Sequence, residues 1–234
     1  ISESNFRGKG QNLSLATNIT KDRRDKSLTL GFTDPYAFDT QWSAGFDVFY
    51  STFVIPSRFT NRRVGLNLKL GHPISDYTNA FITYKREKLS VESIDINAPD
   101  AEDLRLIDAD IGLLSSIVWS VVRDRRNNRF ETSGGSYQSA SLETAGIGGD
   151  KAFTKVSLNN RFYYRIVGDL VFRNNFEYGQ AVGRNDRGVP PSDRFYLGGP
   201  NNLRGYNFFT VGPYRQKTVV GGTERIPLGG RYQF

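Results

Sequence analysis

The side chains able to do chemistry are few and are not grouped as a catalyst needs them. His72 is the only histidine, and the 234-residue chain has no cysteine and no methionine. A histidine-containing metal cluster or a Ser-His-Asp triad would rest on His72 alone. It precedes Pro73, a pairing that reads as a turn. The carboxylates are scattered without a recognisable acid/base pair, so the expectation is a protein that is not an enzyme and that has no metal and no cofactor. Without cysteine no disulfide framework can form.

The most distinctive grouping is Phe195-Tyr196-Leu197-Gly198-Gly199-Pro200-Asn201-Asn202-Leu203-Arg204-Gly205-Tyr206, followed by Gly212-Pro213. A second is Asp124-Arg125-Arg126-Asn127, with Thr132-Ser133-Gly134 just beyond it. A guanidinium such as that of Arg204 stays charged and offers a planar fork to carboxylates, which suits a fixed ionic anchor. A solvated loop arginine is the plain alternative.

The elements that would position these residues show a period of two. Val64, Leu66, Leu68 and Leu70 alternate with Gly65, Asn67, Lys69 and Gly71. Val156, Leu158, Phe162, Tyr164 and Ile166 hold one parity, and Lys155, Ser157, Asn159, Arg161 and Arg165 the other. Successive strand side chains point to opposite faces, so this pattern gives sheets with one apolar and one polar face. Several runs last about ten residues, longer than the usual soluble strand of about five or six and close to what a tilted strand needs to cross a bilayer. A soluble β-fold is the competing reading, and strand length weighs against it. No stretch approaches eighteen apolar residues, since Leu113 to Val122 is broken by Ser115, Ser116 and Ser120, so a transmembrane helix is excluded.

The expected fold is therefore all-β, a transmembrane antiparallel up-and-down barrel that this chain leaves incomplete. About nine strands are expected, near residues 11–20, 26–33, 40–54, 62–71, 78–91, 112–123, 135–145, 153–167 and 169–181, with a tenth starting near Arg231. Compact turns are expected at Asp34-Pro35-Tyr36, from His72 to Asp76 and at Val167-Gly168-Asp169. Longer connections are expected from Ile55 to Arg63, from Glu92 to Asp110 and, longest, over 183–222. A start at Ile1 without methionine suggests an internal fragment. The net charge of +7 falls partly on the polar parity at Lys69, Lys155, Arg161, Arg165 and Arg173. A basic lumen follows, with an anion-selective pore as an alternative. Nucleic acid fits poorly, because the charges follow strand faces and do not gather with stacking aromatics.

The Phe195–Tyr206 run with Gly212-Pro213 resembles the sixth extracellular loop of the BamA insertase superfamily, and Asp124 to Gly134 resembles that family's periplasmic turn. Arg126 departs from the family's usual acid and Glu131 from its usual proline. The resemblance covers the whole chain, and it implies a sixteen-stranded barrel of which residues 1–234 form the central part. The POTRA domains and closing strands would lie outside it. It implies that Leu203, Arg204, Gly205 and Tyr206 form a loop lock inside the lumen, with Arg204 on acidic side chains mostly beyond this chain. Gly198, Gly199, Gly212 and Pro213 would frame the loop. Asp124, Arg125, Asn127 and Gly134 would shape the periplasmic turn. The function implied is folding and insertion of β-barrel proteins into the bacterial outer membrane. Its partners would be unfolded outer-membrane proteins, outer-membrane lipids and accessory lipoproteins reached through POTRA domains. A TamA-like protein, a two-partner secretion pore and a passive porin are the alternatives.

Overall fold

The computed structural model describes residues 1–19, 26–55, 59–94, 101–199, 202–207, 210–219 and 222–233. Ten consecutive strands form an antiparallel meander: β1 (Ser2–Phe6), β2 (Gln11–Ile19), β3 (Lys26–Asp34), β4 (Ser43–Ile55), β5 (Phe59–Ser75), β6 (Thr78–Ile94), β7 (Gly112–Asp124), β8 (Gly135–Ala145), β9 (Phe153–Val167) and β10 (Leu170–Gly183). A short last strand, β13 (Tyr232–Gln233), pairs with β10 through Gln180 and Gly179 and makes the sheet eleven-stranded. Within the connection from β10 to β13 stands a separate hairpin of β11 (Tyr214–Val219) and β12 (Gly222–Pro227).

Register turns the alternation into two surfaces. Leu15, Leu30, Val48 and Leu66 are successive cross-strand partners, as are Ile82, Trp119, Leu142 and Val156. Leu30, Val48, Trp119 and Leu142 are 41–51% exposed, as befits a face that meets lipid and not a protein core. On the other face polar groups pair with one another. Lys69 bonds Asp47, Lys85 lies 3.3 Å from Glu143, Ser116 donates to Glu143 at 2.7 Å and Asn159 donates to Glu177 at 2.7 Å. Arg161 lies over the Tyr137 ring, while Arg165 and Arg173 stand exposed near the β9–β10 turn.

The barrel architecture is as expected, with several corrections. β1 was not anticipated, because Arg7, Gly8 and Gly10 all take positive φ and confine it to five residues. β5 and β6 each span seventeen residues, so most of Ile55–Arg63 is strand and not a long connection; residues 56–58 lie outside the described set, as does residue 20 of the first expected strand. His72 and Pro73 lie within β5, not in a turn. The Pro73–Ser75 register shift is a bulge that absorbs the missing N–H, and His72 stacks on Trp42 at 4.5 Å. The acidic excursion before Asp110 holds a helix, α1 (Ala101–Asp110), with Glu102 and Asp103 in its first turn where the dipole favours them. The long connection runs beyond 222, through the unforeseen β12.

Candidate functional site

The long connection returns into the lumen near the end of the barrel that carries α1. Pro190 and Pro191 stiffen the approach, and a 3-10 turn over Pro191–Asp193 follows. The Ser192 N–H donates to Asp110 Oδ1 at 2.9 Å, while the Asn61 amide donates to the other oxygen of that carboxylate. Lys155 Nζ donates to the Asp193 carbonyl at 2.9 Å, and Arg63 donates to the Ser192 carbonyl at 3.4 Å. Strands β5 and β9 and the end of α1 thus grip one turn of the loop.

The turn is sealed in by apolar packing and charge. Leu89, Leu114, Ala145, Phe153, Ala181 and Val189 form the buried core, with Phe195 against it. Phe195 reaches that position because Gly179 has no side chain; a Cβ there would collide with the ring. The Lys155 ammonium sits 4.7 Å from the Phe195 centroid, within cation–π range. Among the described residues, Lys151, 1% exposed, has no hydrogen-bond partner for its ammonium, and Asp193 Oδ2 likewise has none. Burial pushes the Asp193 carboxyl above its ordinary range and the Lys151 ammonium below its own, since a low dielectric disfavours either charge. Around them stand Arg63, Glu87, Asp110 and Lys155.

The second half of the loop is fastened by backbone. Phe195 and Gly230 exchange hydrogen bonds at 3.0 and 2.7 Å, and Arg194 donates to the Val189 and Leu228 carbonyls at 2.9 and 2.8 Å. Further out, Asp103 of α1 is bonded by both Arg215 and Lys217 of β11. The hairpin and helix therefore cap the same end.

The resemblance-derived loop residues form a turn of their own. Gly198 donates to the Asn202 side chain at 3.0 Å, Gly199 pairs with Leu203 and donates to the Tyr206 carbonyl at 2.9 Å. Pro200 and Asn201 lie outside the described residues. Gly205 has φ 89°, a conformation that glycine adopts without strain. Leu203, Arg204 and Tyr206 are exposed here, as are Gly212 and Pro213, next to the Leu197–Val211 bridge.

At the opposite end, Asn127 accepts N–H groups of Asn128, Ser133 and Gly134 at 2.9–3.2 Å. Arg126 makes a bidentate pair with Asp124, both contacts 2.9 Å, which raises the arginine's pKa further. The basic residue at the departing position therefore fixes the turn. Arg125 lies over the Tyr77 ring at 5.4 Å. Sequence reasoning missed Asn61, Asp110, Lys151 and Asp193. Asp110 ends the noted acidic stretch and Asp193 follows a Pro-Pro pair, but neither pattern names a partner.

These features define a class: a membrane β-barrel whose own loop occupies its lumen. The Omp85 superfamily domain matches residues 5–234, and the chain belongs to that superfamily of outer-membrane β-barrel proteins. It is 26% identical over 217 residues to the outer membrane protein assembly factor BamA of Nitratidesulfovibrio vulgaris, covering 91% of this chain and 26% of that protein. It is 34% identical over 123 residues to a sorting and assembly machinery component 50 homolog of Bos taurus, covering 52% and 26%. The chain thus spans about a quarter of the length of these relatives. The crystal structure of BamA from Haemophilus ducreyi lacking POTRA domains 1–3 superposes with a TM-score of 0.82 at 17% identity, covering 99% of this chain and 47% of that one. At that identity the likeness shows the fold.

Proposed function

We propose that this barrel belongs to a bacterial outer-membrane assembly factor of BamA type, which folds and inserts β-barrel proteins without enzymatic chemistry, cofactor or nucleotide. Its clients are unfolded outer-membrane proteins, and accessory lipoproteins act through POTRA domains outside residues 1–234. The observation that carries this reading is the loop held in the lumen. A passive porin needs an open aqueous path, whereas Phe195 here packs against Leu89, Leu114 and Phe153. A barrel that lends a strand edge to a client lowers the cost of carrying unpaired backbone into lipid, several kcal/mol per group in general.

One observation favours a second setting: the 34% identity over 123 residues to the Bos taurus homolog supports a mitochondrial outer membrane. The test of function is the full-length protein in liposomes. Urea-denatured outer-membrane protein is added, and its folding is followed by heat-modifiable electrophoretic mobility. Faster folding than in protein-free liposomes is expected. Steady single-channel conductance with no change in client folding would overturn the proposal in favour of a porin. Fractionation of the source cells decides between the two membranes.

A further inference from the structure

The lipid-facing surface is not uniformly filled. A groove of about 520 Å³ crosses β6 to β9, within the roughly 300–1,000 Å³ typical of small-ligand sites. Ala80 and Ala140 form its floor, and Ile82, Trp119, Leu142 and Leu158 wall it. Register explains the shape: Ala80, Val121, Ala140 and Leu158 are successive partners across four strands, with the bulkier row from Ile82 to Val156 one step above.

One step below, toward the β7–β8 turn, the same face changes chemistry. Thr78, Arg123, Gln138 and Asn160 are successive cross-strand partners there. Two strand residues advance about 7 Å, so this polar row borders the groove's end. Arg123 is exposed on the parity of Val121 and Trp119. Unlike Arg125, Arg126 and Arg129 beside it, its guanidinium has no ion pair, hydrogen bond or ring contact among the described residues.

We propose that this surface binds one glycerophospholipid of the leaflet at the tight-turn end. An acyl chain lies over Ala80 and Ala140, and the phosphodiester meets Arg123. The unpaired cation beside an apolar groove selects this occupant over a neutral lipid, because phosphate and guanidinium form a charge-assisted contact. The site stands on the membrane-facing surface and is independent of the assembly role.

Native mass spectrometry of the full-length protein, delipidated and then given phosphatidylglycerol or diacylglycerol, tests it. Wild type is expected to retain one phosphatidylglycerol and little diacylglycerol. Ala140→Trp fills the groove and abolishes retention. Arg123→Gln weakens it roughly tenfold, the loss of one charge-assisted contact. Leu30→Trp, on the lipid face of β3, leaves it unchanged. Equal retention in all variants, equal retention of diacylglycerol, or loss in Leu30→Trp as well would overturn the site. Should Ala140→Trp fail to fold by heat-modifiable mobility, the exposed Arg123→Gln decides alone.

Discussion

Replacing Asp110 by alanine isolates the anchor that holds the loop in the lumen. Asp110 is fully buried and accepts both the Ser192 N–H and the Asn61 amide. Its loss leaves two donors unsatisfied in the docked state, at about 1–3 kcal/mol each. Lys151 and Arg194 also lose a neighbouring negative charge, whereas the cost of desolvating the carboxylate itself disappears. A net of about 3 kcal/mol makes the undocked loop roughly 150-fold more populated. The assay is tryptic cleavage after Arg194 in the full-length protein in liposomes. That guanidinium is tied to Val189 and Leu228 while the loop is docked. Where opening is fast relative to cleavage, the rate follows the open population, so cleavage should accelerate by about that factor. Asp110→Asn retains one acceptor oxygen and should fall between. Cleavage of Asp110→Ala as slow as wild type, with acceleration in Arg204→Ala instead, would refute the reasoning and return the anchor to Arg204.

Three further outcomes are expected. Because burial raises the Asp193 pKa, its stabilising contribution is complete below the ordinary aspartate value near 3.9 and is lost as pH rises through the raised one; loop protection from trypsin should weaken from about pH 4 upward, and Asp193→Asn should flatten that profile. Gly179→Val should drive Phe195 from its seat and lower the unfolding midpoint seen by heat-modifiable mobility, at about 1–3 kcal/mol, with Phe195→Leu restoring part of the loss. Asp103→Ala leaves Arg215 and Lys217 without their shared carboxylate, whose side chain is 1% exposed; breaking such a buried pair costs about 3–5 kcal/mol, and hydrogen exchange should rise in β11 and β12.

The sequence alone specified nine of the strands, β2 to β10, and their faces, because alternation is a local property and a period of two admits one assignment of sides. Val156 to Ile166 and Val64 to Leu70 could be placed outward without knowing any neighbour. It also marked the loop, since glycine and proline spacing is local too. It misplaced His72 and Pro73, where a bulge accommodates a proline that reads locally as a turn, and it passed over α1, whose short acidic segment shows no strong apolar period. What holds the loop inside is set by contacts between segments far apart in the chain. Asp110 and Ser192 stand 82 positions apart, and Asn61, Lys151 and Asp193 are gathered around Asp110 only because β5, the approach to β9 and α1 converge over the lumen. The reason is physical: a carboxylate becomes an anchor through the donors and low dielectric brought to it by distant segments, and neither leaves a trace in the residues beside it.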